Sequence, residues 1–256
     1  MDYIEMSSLM DVLYNNITSN QAPGLSEYEK SVFLTKAQDE LVKDYFNPKG
    51  NKYGEGFDGN RKRQIDFSAI TNVYDAPSLD NPLFDTRDES KSAVLPEDMW
   101  MIVNERMIVT RNEKDETLTV VPISFEEYDR LMSKPFKRPL KHQAWRLINN
   151  DGNNKSDLVV GPGDTITNYK VRYIRRPKPI IIGNLDGLTI DGYTWGGAQP
   201  STPPEDKTIY GDKPCELDPI LHEEIVQRAV ELAKIAWTAT GQDNAQMVIQ
   251  AGQRSE

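Results

Sequence analysis

The sequence predicts an α+β protein, in which amphipathic helices from both ends of the chain pack as a helical body with an inserted antiparallel β module. Long apolar patterns at helical spacing lie near the two ends, whereas short β-branched and aromatic runs lie in the middle. We expect residues 1–60 with 215–256 to form the helical body. Residues 61–182 should form the β module, with a short helix at 125–136. Residues 183–214, rich in Gly, Pro, Asp and Thr, should form a long loop.

The first long helix is predicted to begin at Ser26. Ser26 is a suitable N-cap, and Glu29 three residues later completes a capping box. Asn, Pro and Gly at residues 47–50 end the helix. Its apolar stripe comprises Val32, Phe33, Ala37, Leu41, Val42 and Tyr45. A shorter helix is predicted before it from Ile4, Leu9, Val12, Leu13 and Ile17.

Strand signals follow in the middle of the chain. Residues 64–74 alternate loosely and are predicted to form a strand. Residues 99–110 and 117–123 are apolar runs separated by a charged turn, which predicts a hairpin. A second capping box at Ser124 predicts the short helix. In residues 165–176, alternate side chains share a face of the sheet, and the prolines that follow end strand pairing.

The stretch Cys215–Trp237, which includes the closing helix, contains the only cysteine and one of the two histidines of the chain, which raises the question of a reactive pair. A zinc site requires four ligands, and no second Cys or His stands near Cys215 and His222. Asp218 and Pro219 are explained as N-cap and first helical residue. We therefore interpret this stretch as a packing helix. Its apolar stripe comprises Leu221, Ile225, Ala229, Leu232 and Ala236, widened by Val226, Val230, Ala233 and Trp237.

Motifs typical of enzymes are incomplete in this sequence. Residues 54–59 match G-x-G-x-x-G, but no strand leads in and no helix leads out. Residues 151–157 begin like a calcium loop, but the twelfth position of such a loop is Pro162 instead of glutamate, so we interpret residues 151–157 as a hairpin turn. No nucleophile elbow or His-Glu-x-x-His pattern occurs. We expect no enzymatic activity, no cofactor and no metal, although forty acidic residues leave a carboxylate-based hydrolase open.

The net charge and the basic clusters indicate which kinds of partner the protein can bind. Forty acidic and thirty basic residues give a formal net charge of −10, which argues against a protein that grips the DNA backbone. Basic clusters at residues 61–63, 134–141 and 175–178 favour a solvated face or a subunit contact over a DNA contact. We recognise neither a signal peptide nor an apolar run long enough for a membrane, so we expect synthesis in the cytoplasm and no membrane partner.

The order of these segments resembles the head-to-tail adaptor (connector) family of tailed phages, and most of all the ring proteins of crAss-like phages. The resemblance covers most of residues 25–240. It is carried most specifically by YIRRPKPI, residues 173–180, and by ELDPILHEEIVQRAVELA, residues 216–233. Other matching segments are LSEYEKSVFLTKAQDELV, LPEDMWMIVNERMIV, PISFEEYDRLMSKPFKRP and AWRLI.

The resemblance implies a non-enzymatic virion protein at the tail or portal vertex, made in the host cytoplasm. Such adaptors form a ring, commonly of twelve copies, that binds the portal protein and the next tail or ring protein. Double-stranded DNA passes through the lumen without specific binding. Candidates to face this DNA channel are Glu223, Glu224 and Glu231. Candidates for subunit contacts are Arg175, Arg176 and Lys178. The alternatives are a tail-hub component and a carboxylate-based cell-wall hydrolase.

Overall fold

The computed structural model describes residues 1–17, 24–47, 57, 61–82, 84, 87, 89–149, 154–183, 185, 187–196, 208–209 and 215–238. The chain divides into two compact units. The helical unit comprises Met1–Ile70 and Pro177–Glu256, and the β unit comprises Thr71–Arg176. Long helices and the main sheet are thus segregated, and the predicted α+β class is confirmed. That the predicted segments 1–60 with 215–256, 61–182 and 183–214 act as domains stays a prediction.

The helical unit is built from four helices in the described part of the chain. These are α1 (Tyr3–Ile17), α2 (Glu27–Phe46), α3 (Arg61–Asp66) and, numbered last in chain order, α5 (His222–Thr238). The terminal helix α5 packs against both α1 and α2, as the apolar stripes predict. The capping box of α2 is present: the backbone N–H of Glu29 donates to Ser26 Oγ at 3.2 Å, and the Ser26 N–H donates to Glu29 Oε2 at 2.8 Å.

Helix α1 buries a different face from the one predicted. The residues that face the core are Met6, Met10 and Tyr14, each at most 2% exposed. They stand four residues apart and therefore line one side of the helix. Ile4 and Val12, two of the apolar residues from which this helix was predicted, are 57% and 56% exposed. The unit thus keeps two branched apolar side chains on the outer side of its first helix.

Helix α2 buries a polar stripe that the apolar pattern does not predict. Val32 and Phe33 are only half-buried, whereas Ser31, Thr35 and Gln38 are buried. These three polar side chains face an extended stretch at residues 177–182, here called the return segment, where the chain re-enters the helical unit. A buried backbone needs partners for its N–H and C=O groups, and the polar stripe supplies them.

Hydrogen bonds between α2 and the return segment occur at three successive positions of each. Gln38 Nε2 donates to the Lys178 carbonyl at 2.9 Å. The Thr35 hydroxyl accepts from the Ile180 N–H at 3.1 Å and lies 3.3 Å from the Ile180 carbonyl. Ser31 Oγ accepts from the Ile182 N–H at 2.8 Å. One helical turn rises about 5.4 Å and two extended residues span about 6.6 Å, so successive turns of α2 meet alternate residues of the segment.

The prolines of the return segment fit this pairing. Pro177 and Pro179 lack an N–H, and they occupy the positions that alternate with the bonded residues. As predicted, they also follow the end of strand pairing, since the last strand of the β unit stops at Arg175. The pairing lets Ile180, Ile181 and Ile182 be buried at 3% exposure or less.

Residues 64–70 are helical rather than extended, which corrects the predicted strand over 64–74. Helix α3 is followed by a 3-10 turn at Ser68–Ile70, and only Thr71–Asp75 forms a strand. The reason lies in the core: Phe67 and Ile70, three residues apart, are both buried. Their spacing suits a helical turn, and the Phe67 ring packs beside Tyr45 at a centroid distance of 5.8 Å.

The β unit is one curled sheet in the described residues. Its strands are β1 (Thr71–Asp75), β2 (Leu79–Asp80), β3 (Lys91–Val94), β4 (Met99–Arg111), β5 (Lys114–Pro122), β6 (Gln143–Asn149), β7 (Lys155–Val159) and β8 (Thr165–Arg175). Their order in the sheet is β1-β8-β4-β5-β6-β7-β3-β2. Every strand contributes a side chain to the same apolar cluster, so the sheet wraps around its own core.

The predicted hairpin is confirmed as β4 and β5, joined by Asn112 and Glu113 with φ of 49° and 62°. Residues 151–153 of the predicted hairpin turn lie outside the described residues, but β6 and β7 on either side of it pair antiparallel. One pair corrects the all-antiparallel expectation, because β5 and β6 are parallel. A parallel pair requires a crossover, and the predicted short helix, α4 (Phe125–Met132), provides it.

Part of the predicted long loop at 183–214 is folded. Leu185 and Ile190 are buried, and the short strands β9 (Thr194–Trp195) and β10 (Thr208–Ile209) pair in parallel. Residues 197–207 and 210–214 lie outside the described residues, as do the G-x-G-x-x-G stretch apart from Phe57 and the side chains of the basic cluster at 61–63. Among the described helices, none combines the length and apolar content needed to cross a membrane.

Removing the hydroxyl of Thr35 tests the polar pairing. Thr35→Val keeps the shape but leaves the Ile180 N–H buried without its acceptor, so the free energy of unfolding should fall by about 2 kcal/mol. Urea unfolding followed by circular dichroism measures the change. Thr35→Ser retains the hydroxyl and serves as the matched control. A Val variant as stable as the Ser variant would show that the pairing contributes little.

Candidate functional site

Cys215 and His222 are packing residues of the helical unit. Burial raises the pKa of the Cys215 thiol to about 12, and its Sγ donates to Gln38 Oε1 at 3.4 Å. A thiol with this pKa is protonated at neutral pH and is a poor nucleophile. His222 is also buried, with Nε2 3.0 Å from the Leu217 carbonyl, and burial lowers the pKa of its imidazole. Each side chain is thus held by its own neighbour in the core.

The described residues contain no group of three or more His, Cys, Asp or Glu side chains that could hold a metal ion. The interior of the curled sheet instead holds a buried triad formed by Glu105 of β4, Arg146 of β6 and Tyr169 of β8. None of the three is more than 8% exposed. Tyr169 Oη donates to Glu105 Oε1 at 2.5 Å, and burial and the charge of Glu105 raise the pKa of Tyr169 far above its ordinary value.

Arg146 completes this triad through charge rather than through aligned hydrogen bonds. Its Nε lies 2.6 Å from Glu105 Oε1, but the direction of its N–H does not meet hydrogen-bond geometry. The contact is therefore an ion pair in which the opposite charges offset each other's cost of burial. Because the interior of the sheet encloses all three groups, we assign the triad to the stability of the β unit.

The three candidate channel acids lie on the exposed side of α5. Glu223, Glu224 and Glu231 are all exposed to solvent. Glu224 Oε2 accepts from the Tyr45 hydroxyl at 3.0 Å, and Glu231 Oε2 accepts from Arg228 Nη1 at 2.9 Å. The same arginine donates through Nε to Glu40 Oε2 of α2 at 2.8 Å. The structure thus places the acids of α5 beside acids of α2.

This neighbourhood, here called the acidic patch, comprises Glu40, Asp44, Glu224 and Glu231. Its negative charge is visible in the pKa of the Asp44 carboxyl, which is raised above its ordinary value of 3.8. Burial is the largest cause, followed by the charge of Glu40, and Glu224 adds to the effect. Arg228 acts in the opposite direction but does not cancel it. Phosphate groups near such a surface would be repelled.

The candidate subunit-contact residues are divided between the two units. Arg175 ends β8 and is half-buried, and Arg176 is exposed while its backbone N–H donates to the Asp98 carbonyl at 3.3 Å. Lys178 belongs to the helical unit. Its Nζ lies 3.7 Å from Glu216 Oε1, and its backbone N–H donates to Glu216 Oε2 at 2.9 Å. The Lys178 side chain is 53% exposed and already has this internal partner.

Sequence reasoning missed one residue on the surface of the β unit. Phe136 lies in the basic cluster at 134–141, in the 3-10 turn Pro135–Lys137, and is 98% exposed. Leu140 of the same cluster is 64% exposed, so two large apolar side chains are exposed within one short segment. The signal was available in the sequence, since Phe136 stands between lysines and next to a proline that prevents a long helix.

Comparison with known proteins decides the class of this molecule. A family model described as phage tail ring protein 3/4 matches residues 1–245. The chain belongs to this family. The predicted resemblance to ring proteins of crAss-like phages is thereby confirmed, and the chain is a structural ring component of a phage virion.

Two relatives of this ring protein come from one virus. Ring protein 4/5 of Bacteroides phage crAss001 is 49% identical over 267 aligned residues, and the match covers 100% of both chains. Ring protein 3 of the same phage is 31% identical over 244 residues, covering 91% of this chain and 95% of that protein. A ring consists of repeated subunits, so membership implies association with further copies and with neighbouring ring proteins.

The raised pKa of Asp44 predicts how the free energy of unfolding of the ring protein changes with pH. Because the folded-state pKa of Asp44 is raised, its contribution to stability is present below the ordinary value of 3.8 and is lost as pH rises through the folded-state pKa. Asp44→Asn should therefore increase the free energy of unfolding at pH 7, and this gain should vanish below pH 3.8. Urea unfolding across this range measures it. Asp129→Asn on α4 is the matched control, and an equal gain there would contradict the local explanation.

Breaking the buried triad should destabilise the ring protein strongly. Arg146→Met leaves Glu105 buried without its cation and should lower the free energy of unfolding by about 3 to 5 kcal/mol. The double variant Glu105→Leu with Arg146→Met removes both charges and should be more stable than the single variant. Urea unfolding of the three proteins provides the test. If the double variant is the less stable of the two, the charges do not form a pair.

Proposed function

We propose that this ring protein is a non-enzymatic, cofactor-free component of the portal vertex that forms a closed ring joining the portal to the tail. The observation that carries the proposal is the full-length match to Ring protein 4/5 of Bacteroides phage crAss001, at 49% identity. The match extends over both the helical unit and the β unit. This favours a shared architectural role of the whole chain over the sharing of one domain.

We infer that the chain takes the position of Ring protein 4/5 rather than that of Ring protein 3. The identity is 49% with the former and 31% with the latter, and both relatives come from the same phage. Two ring proteins of one particle meet different neighbours, so the surfaces that contact those neighbours diverge. Higher identity over the full length therefore supports a shared set of neighbours.

The proposed ring contains twelve copies and surrounds a channel for double-stranded DNA. Glu223, Glu224 and Glu231 of α5 are proposed to face this channel. All three are exposed, and Glu224 adds to the rise in the pKa of Asp44, of which burial is the largest cause and the charge of Glu40 the next. Carboxylates along the wall repel phosphates, so that DNA slides through the channel without binding to it. The net charge of −10 per copy acts in the same direction.

Contacts between neighbouring copies are proposed to involve Arg175, Arg176 and Lys178. Arg176 and Lys178 are exposed, and Arg175 is half-buried at the end of β8. An arginine suits such a contact because its planar guanidinium recognises a carboxylate through two parallel hydrogen bonds. The remaining partners in this proposal are the portal protein on one side and the next tail or ring protein on the other.

Charge reversal of the channel acids tests the proposed function. The variant E223K/E224K/E231K should still assemble with the portal protein into a closed ring of twelve copies, measured by native mass spectrometry. Its rings should bind double-stranded DNA with a steep salt dependence, because lysines replace the repelling carboxylates. Particles that carry the variant should release DNA more slowly.

The control variant E97K/E126K/D129K makes the same change in charge at exposed residues of the β unit. It should bind DNA less than the α5 variant does, since only the α5 acids are proposed to line the channel. Equal DNA binding by the two variants would contradict the assignment of the channel acids. A wild-type chain that stays monomeric with the portal present would contradict the ring itself.

A further inference from the structure

Residues 134–141, here called the basic loop, present apolar side chains between cations. Phe136 and Leu140 are 98% and 64% exposed. The loop also contains Lys134, Lys137, Arg138 and Lys141 and no acidic residue, in a chain whose net charge is −10. A partner for this loop therefore has to offer both apolar contact and negative charge.

The basic loop is held in place by the β unit. Its backbone forms a 3-10 turn in which the Lys137 N–H donates to the Lys134 carbonyl at 2.9 Å. Pro139 is buried, which fixes the middle of the loop. At its end, the Lys141 carbonyl accepts from Arg111 Nη2 at 3.2 Å. A loop that is ordered before binding loses less conformational entropy when it docks.

The arginine that holds the loop is itself fixed. Arg111 Nε donates to Asp164 Oδ1 at 2.6 Å, and its Nη2 donates to Asp164 Oδ2 at 2.5 Å. Asp164 is buried, and the pair is bidentate, the geometry that restricts a guanidinium most strongly. A buried charge pair of the β unit thus supports the base of a loop whose aromatic residue contacts solvent. Phe136 is therefore exposed on a loop whose backbone is fixed to the β unit.

The outer face of α1 has the complementary properties. Ile4, Ser8 and Val12 stand four residues apart on that face, and the two apolar members are each more than half exposed. Glu5 is exposed beside them, and no Lys or Arg precedes Lys30 in the chain. The face is apolar and acidic, on the helical unit, while the basic loop is apolar and basic, on the β unit.

We propose that the basic loop of one copy docks on the outer face of α1 in a neighbouring copy of the ring, with Phe136 as the apolar anchor. The lysines of the loop then lie near Glu5, since Asp11 is already paired with Lys30 of the same copy at 2.5 Å, and Phe136 and Leu140 cover Ile4 and Val12. This inference rests on the proposed ring and assigns one of its subunit contacts. It also accounts for apolar residues that each copy leaves exposed on both surfaces.

Photo-crosslinking locates the contact directly. Phe136 is replaced by the photoreactive analogue p-benzoylphenylalanine, and rings are assembled with the portal from a mixture of nitrogen-14 and nitrogen-15 labelled copies. After irradiation, peptide mass spectrometry should find position 136 joined to residues of α1, with half of the pairs carrying mixed labels. Crosslinks confined to a single copy, to another protein or to another surface would overturn the proposal.

Substitutions measure how much the contact contributes. Phe136→Ala should weaken association of the copies on the order of tenfold, as expected for an interface anchor. Ile148→Ala, which truncates another apolar residue of the β unit that is 54% exposed, should have little effect. The variant K134E/K137E should also assemble poorly, and adding E5K/S8K to the same chain should restore assembly. Sedimentation velocity with the portal present reports the fraction in rings.

These experiments distinguish a failure of the proposed docking contact from a failure of the proposed ring. If wild-type rings form but F136A and K134E/K137E assemble normally, the docking proposal fails and the ring stands. If the wild-type chain forms no ring, the proposed function fails first. Circular dichroism of each variant confirms folding, and a failure of E5K/S8K to rescue a folded K134E/K137E protein counts against α1 as the docking surface.

Discussion

The helical unit depends on the hydrogen-bonded pairing between α2 and the return segment. The chain enters this unit at Pro177 in an extended form, and its backbone groups lose water when they are buried. Ser31, Thr35 and Gln38 supply partners at alternate residues, so that three consecutive isoleucines can be placed in the core. Gln38 also accepts from the thiol that precedes the closing helix. A polar stripe thus allows an apolar segment to pack.

The arrangement of the charged side chains differs between the interior and the surface. Two enclosed acids have an arginine partner, as between Arg111 and Asp164 and between Glu105 and Arg146, and the buried Asp157 accepts from the backbone N–H of Phe84. The solvent-facing acids of α5 instead lie beside other acids, and Arg228 offsets only part of their charge. Buried charges demand a partner because desolvation is costly, whereas exposed charges of one sign can be maintained in water. A ring protein can therefore carry a strongly negative surface without loss of its core.

Local signals predicted the ends and types of several elements well. The capping box at Ser26, the hairpin around Asn112 and the short helix after Ser124 follow from a few neighbouring residues each. Predictions that depended on which face of a helix meets the core were less successful, as Ile4, Val12 and Val32 illustrate. Glu223, Glu224 and Glu231 are exposed, and their role as channel acids stays a prediction. The exposure of Phe136 was not predicted: the lysines and the proline around it indicate a surface loop, but only the structure shows that its ring has no partner within the described part of the β unit and that the loop is anchored.

The sequence by itself determined that this is an α+β chain with a packing helix after Cys215. Two of its segments, residues 173–180 and 216–233, indicated the family. These properties reside in short patterns of caps, spacing and turn residues. Only the tertiary structure decided that β5 and β6 run parallel, that residues 64–70 form helical turns and that polar residues of α2 face inward. Each of these depends on a partner distant in the chain, and a hydrogen bond between residues more than a hundred positions apart leaves no periodic signal in either segment.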